Sequence, residues 1–114
     1  MKIGQIAELL NAAIICGEHH AQKEVDTAFA SDLMSDVLTL KNDNIVLITG
    51  LANTQTIRTA EMSNINVIIL ARNKKFSEDM IELARENDLV LLESSYSVFK
   101  TSGILYHAGI KPVF

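Results

Sequence analysis

Two short apolar runs, separated by a polar stretch able to form a helix, set the pattern in the middle of the chain. Ile45-Val46-Leu47-Ile48 and Val67-Ile68-Ile69-Leu70 are rich in β-branched residues. Runs this short and this apolar suit strands buried on both faces of a parallel sheet. Gly50 breaks the first run, and Asn53-Thr54 can cap a helix over 54–63. The alternation then repeats. Ser77 opens a helix over 78–86, with Glu78 and Asp79 in its first turn where the helix dipole favours negative charge. A third apolar run covers 89–92. Strand–helix–strand–helix–strand order predicts parallel strands joined by crossovers.

The flanks are less regular. Ile3, Ile6, Leu9 and Leu10 recur at helical spacing and predict a helix over 2–11. Residues 12–16 read as a short strand stopped by Gly17, residues 18–23 as a polar surface loop, and 25–30 as a second strand. Ser31 and Asp32 are N-cap types ahead of an apolar face over 33–40, followed by a turn at 41–44. Ser95 is expected to cap a last helix over 96–107, and Gly109 to take a left-handed C-terminal cap. In the tail over 110–114, Pro112 argues against a central strand. The expected fold is α/β, with a small mixed, mostly parallel sheet flanked by helices. The pattern leaves the order of the first two strands open.

Composition narrows the classes. At 114 residues the chain is expected to be one domain, 1–114. The hydrophobic share of 48% and charged share of 21% belong to an ordered globular chain. A net charge of -4, with Arg72, Lys74 and Lys75 as the only basic cluster, argues against a nucleic-acid partner. No apolar run approaches a membrane span, so no membrane partner is expected. The single cysteine, Cys16, fits a reducing compartment, and a cytoplasmic location is the expectation.

The candidate chemistry is sparse. A strand followed by a glycine turn and a helix N-terminus, as at Thr49-Gly50-Leu51-Ala52-Asn53-Thr54, can hold an anion on free N–H groups. One glycine is neither a dinucleotide fingerprint nor a P-loop, so a plain tight turn is the first reading. His19 and His20 are adjacent and would point apart on a regular element, so they read as surface histidines, and no metal site is expected. Cys16 reads as a buried, inert thiol. Asp32 and Asp36 stand one helical turn apart, which can serve acid–base chemistry beside an enclosed site. The plainer assignment is that Asp32 caps a helix and Asp36 is solvated. Tyr96, Phe99 and Tyr106 fall at helical spacing and suit an oligomer contact.

Two segments, 31–50 and 53–109, resemble a small stand-alone DRTGG-domain protein. The second contains NVIILARNKKFSEDMIELARENDLVLLESSYSVFKTSGILYHAG. The family also supplies domains beside CBS domains in regulatory pyrophosphatases and in some phosphate acetyltransferases. It is related in fold to the N-terminal domain of HPr kinase/phosphorylase. Where the family usually has Thr-Gly-Gly, this chain has Ala71-Arg72-Asn73. The family's Thr-Pro-Tyr-Asp-Thr-Phe-x-Thr appears as Ser94-Ser95-Tyr96-Ser97-Val98-Phe99-Lys100-Thr101, keeping Tyr96, Phe99 and Thr101.

The resemblance implies a non-catalytic regulatory or protein-interaction module; no cofactor is expected, and the aromatic spacing makes a homodimer through Tyr96, Phe99 and Tyr106 the expectation. The alternative is a sensor for an adenine nucleotide or other phosphorylated metabolite at the carboxyl ends of the central strands. Its candidate ligands are Thr49, Gly50, Asn53, Thr54, Arg72, Asn73, Ser94 and Ser95, because turns at those ends converge in a parallel sheet.

Overall fold

The structure is a computed structural model and describes residues 1–41 and 44–114; Asn42 and Asp43, in the turn expected at 41–44, lie outside the described residues. Helices α1 (Ile3–Leu9), α2 (Met34–Val37), α3 (Thr54–Met62), α4 (Glu78–Glu86) and α5 (Val98–His107) alternate with strands. The strands are β1 (Ala13–Cys16), β2 (Thr27–Ala30), β3 (Ile45–Thr49), β4 (Val67–Leu70), β5 (Val90–Glu93) and β6 (Lys111–Pro112). They form one six-stranded sheet in the order β1-β5-β4-β3-β2-β6. All neighbours are parallel except β1, which runs antiparallel to β5. The mixed, mostly parallel α/β fold expected from the alternation is present. The order left open resolves with β1 at one edge and β2 beside β3.

Strands β3 and β4 are buried at every position, as their unbroken apolar runs require. Alternate side chains feed two cores. On one face, Leu47, Ile68 and Leu91 sit on neighbouring strands in register and pack with Ile57, Met80 and Ala84. On the other, Ile48, Ile69 and Leu92 pack with Ile3, Ile6 and Leu105. Helices α2, α3 and α4 cover the first face, and α1 and α5 the second. Among the described residues, no helix is long and apolar enough to cross a membrane.

Three local expectations change. The helix over 33–40 contracts to the single turn of α2, whose N-cap, Leu33, makes no side-chain cap. Asp32 is therefore not a helix cap: its carboxylate is turned to the end of β3, as described below. Ser31 Oγ instead accepts from the Leu33 N–H at 3.0 Å, closing a local turn. The last helix starts at Val98, not at 96, and its cap is Ser97, which accepts from the Lys100 N–H at 3.0 Å. The delay has a cause in the backbone. The Tyr96 carbonyl accepts from the Arg72 N–H (2.8 Å) and the Tyr96 N–H donates to Ser94 Oγ (3.2 Å), so 94–96 is tied to the neighbouring strand end. Finally, the tail contains the short edge strand β6. Gly109 takes the expected left-handed conformation (φ 105).

The two serines give a direct check on this boundary. Ser97→Ala should destabilise the protein by about 1 kcal/mol, the worth of an N-cap. Ser95→Ala, at an exposed residue that caps nothing, should stay within about 0.5 kcal/mol. Urea unfolding of the two variants reads the difference.

Candidate regulatory site at the strand carboxyl ends

Four parallel strands end side by side, and their exits carry Asp32 (after β2), Gly50 (after β3), Arg72 (after β4) and Ser94 (after β5). The structure brings three of these four together. The buried Thr49 hydroxyl donates to Asp32 Oδ1 (2.8 Å), and the Gly50 N–H donates to the same oxygen (2.7 Å). The Leu51 N–H in turn donates to Thr49 Oγ1 (3.2 Å). A carboxylate thus already fills the anion position that a glycine turn offers. Gly50 leaves room for Arg72: a Cβ on it would lie 2.7 Å from Arg72 Cδ, 3.1 Å from Arg72 Nη1 and 3.5 Å from Asp32 Oδ2, so a side chain there would push the guanidinium aside. The exposed Arg72 side chain therefore lies across Gly50, next to the Asp32 carboxylate.

Arg72 and Asn73 both adopt left-handed backbone conformations (φ 66 and 58). That conformation is natural for glycine, tolerable for asparagine and strained for arginine. These are the positions where the resemblance places Gly-Gly. Their backbone N–H groups are already used, Arg72 to the Tyr96 carbonyl and Asn73 to the Ser94 carbonyl (3.1 Å). What the turn offers to a ligand is side chain, the guanidinium above all.

The other expected residues divide. Asn53 caps α3, accepting from the Thr56 N–H at 3.1 Å, with Thr54 in the first turn beside it. Ser94 is buried and its hydroxyl donates to the Leu10 carbonyl (3.2 Å), beneath the site rather than in it. Ser95 is exposed. Sequence reasoning missed Asp32 as a member. Its partners lie seventeen and eighteen positions away, and only the adjacency of β2 and β3 reveals the contact.

Tyr96, Phe99 and Tyr106 do not share one helix. Tyr96 precedes α5, packs partly against the core, and carries Lys100 Nζ 3.9 Å above its ring centre. Phe99 and Tyr106 lie two turns apart on α5 and are 88% and 69% exposed. Cys16 is buried and free, as expected. Burial pushes its thiol pKa up, outweighing the lowering effect of Arg85, and Sγ lies 3.5 Å from the Leu89 carbonyl oxygen.

The histidines do not point apart. They occupy a 3-10 turn over Glu18–His20, and both Nε2 atoms face Asp88: His19 at 3.1 Å from Oδ1, His20 at 2.9 Å from Oδ2. Hydrogen bonding from His20, then from His19, holds the Asp88 carboxyl below its ordinary pKa.

Comparison with known proteins places this geometry. No curated protein sequence matches the chain. Among solved structures, it is similar to the CBS and DRTGG domains of the regulatory region of Clostridium perfringens pyrophosphatase, crystallised with an activator, diadenosine tetraphosphate. The TM-score is 0.75 at 15% identity, over 98% of this chain and 48% of that one. The likeness is one of fold, and this chain spans about half the length of that structure. The DRTGG domain family model matches residues 5–108, so the chain belongs to the DRTGG domain family.

Proposed function

We propose that this chain is a regulatory module without catalytic chemistry of its own, and that it responds to a phosphorylated ligand of the adenine-nucleotide type. The observation that carries the reading is the meeting of Asp32, Gly50 and Arg72 at the strand ends. Ligands of open α/β sheets bind at this edge. A phosphoryl group would pair with the exposed Arg72 guanidinium, which matches phosphate oxygens in a bidentate fork. It would compete with the Asp32 carboxylate for the Gly50 N–H. Releasing Asp32 would loosen the link between β2 and β3, a local change able to reach the segment between Asp32 and α2. Family membership and the activator bound by the pyrophosphatase regulatory region support this reading. A buried free thiol fits a reducing cytoplasm.

A thermal-shift panel of adenine and guanine nucleotides, dinucleoside polyphosphates and phosphosugars tests it. A ligand at about 100 times its Kd adds about 2.7 kcal/mol, which moves the midpoint by several degrees. The shift should vanish in Arg72→Ala and in Arg72→Gly. The glycine variant relieves the left-handed backbone, so its loss of response cannot be assigned to a strained turn. No shift with any compound overturns the ligand reading.

A second reading rests on Phe99 and Tyr106, whose exposure on one face of α5 suits a homodimer or a protein partner. Sedimentation should show a dimer that Phe99→Asp dissociates. A monomer at all concentrations overturns the homodimer.

A further inference from the structure

We propose that His19, His20 and Asp88 form a binding site for a divalent transition-metal ion of the zinc class. This site lies at the opposite edge of the sheet from β2 and is independent of the regulatory reading. His19 and His20 belong to the turn that follows β1, and Asp88 follows α4, yet their ligand atoms all lie within 4.8 Å of one another. Zinc–nitrogen and zinc–oxygen bonds of about 2.0–2.2 Å put tetrahedral ligand atoms about 3–3.6 Å apart, inside the spread seen here. Small side-chain rotations close the set.

Three features shape the cluster. Gly17 (φ 87) turns the chain out of β1 into the 3-10 turn. The two imidazole rings then lie 4.0 Å apart between centres, tilted by 44°. Asp88 adopts a left-handed conformation (φ 56) after the C-cap of α4, a conformation favoured by glycine and asparagine. It thereby faces the histidines from the other side.

The chemistry of the donors identifies the ion. His20 Nε2 is shut off from water and faces Asp88 Oδ2 at 2.9 Å. In the tautomer with the proton on Nδ1, each ring turns a nitrogen lone pair toward the carboxylate, and a cation between them satisfies all three. Two imidazoles and one carboxylate select a first-row transition ion over calcium or magnesium, which prefer all-oxygen shells. Three protein ligands leave the fourth position to solvent, and His19 and Asp88 are exposed enough to admit it (67% and 65%). The site opens on a cavity of about 210 Å³ that Cys16, Glu18 and Arg85 also line. Cys16 is not a ligand, because its sulfur lies against the Leu89 carbonyl and not the cluster. Arg85 sets a cation near the site and Glu18 an anion. A bound ion would clip the turn after β1 to the turn between α4 and β5.

Zinc chloride titrated calorimetrically into the chelator-treated, untagged protein should bind once per chain. His20→Ala and Asp88→Asn should each weaken binding by more than about tenfold, while Cys16→Ser and His107→Ala should bind as the parent does. His107, on α5, is the internal control. In parallel, zinc should move the ring resonances of His19 and His20 in the folded protein and leave those of His107 in place. Absence of saturable binding overturns the proposal. So does parent-like affinity in folded His20→Ala and Asp88→Asn, or a response confined to His107.

Discussion

Replacing Ile68 with alanine should destabilise the protein by about 2–5 kcal/mol, the range for removing a branched aliphatic side chain from a rigid core. Ile68 is fully buried on β4, flanked in register by Leu47 on β3 and Leu91 on β5. The three form a row across the sheet, under Ile57 of α3 and Met80 of α4. Strand backbones fixed by ladders on both sides cannot collapse into the gap, so the cavity persists and adds to the lost transfer energy. At about 4 °C per kcal/mol for a domain of this size, the midpoint should fall by about 8–20 °C. Urea unfolding should show a lower midpoint with an unchanged slope. Met62→Ala, at an exposed position at the end of α3, should stay within about 0.5 kcal/mol. Equal effects from the two would mean that the face described here is not the core.

Gly17→Ala should have an effect of similar size for a different reason. The position is left-handed, which costs an L-residue about 1–2 kcal/mol. An added Cβ would also lie 2.9 Å from Val90 Cγ2 and 3.0 Å from both the Leu89 carbonyl oxygen and Val90 Cα. Two of these are backbone atoms of the neighbouring strand and cannot swing aside. Overpacking of this kind adds about 1–3 kcal/mol, for a total of about 2–5 kcal/mol. Gly109→Ala isolates the first contribution, since Gly109 is also left-handed but has open space around it (φ 105). The difference between the two variants in thermal or urea unfolding measures the clash alone. If they match, β1 and β5 are not packed as tightly as described. Gly17→Ala should also weaken zinc binding, because the same residue aims the histidine turn.

The central strands and the helices between them were legible because their signals are local. Unbroken β-branched runs, Asn53 and Ser77 at helix starts, and Gly109 at a helix end each act within a few residues. The edges were not. The direction of β1 is set by β5, and β6 exists only because Lys111 and Val113 donate to Asp26 and Ala28. Proline at 112 spoils one donor position and leaves its neighbours free to pair, so it marks an edge strand and does not forbid one. The site was half legible. Thr49, Gly50 and Arg72 follow from the rule that ligands sit at strand ends. Asp32 does not, because a helix-cap residue and a strand-end residue look alike until the sheet order is known. Ser94 and Asn73 show the converse, since their hydroxyl and N–H groups are taken up by the protein itself. The convergence of the histidine pair on Asp88 was not legible because side-chain directions on a regular element do not apply to a single turn that a left-handed glycine has redirected.

The antiparallel first strand has a consequence for how the chain is made. Ala13 pairs with Glu93 and Ile14 with Leu92, so β1 finds its hydrogen-bonding partner only when most of the chain has left the ribosome. At ~5–20 residues per second, that wait is on the order of ten seconds. Throughout it, the apolar segment Ala13–Cys16 is a strand without a sheet, while β2, β3 and β4 can already pair in sequence. Closing a long loop therefore falls to β1, and this high-contact-order step, together with the equally long-range pairing of β6 on β2, is the natural slow phase of folding. It is also the interval in which the nascent chain most needs a chaperone.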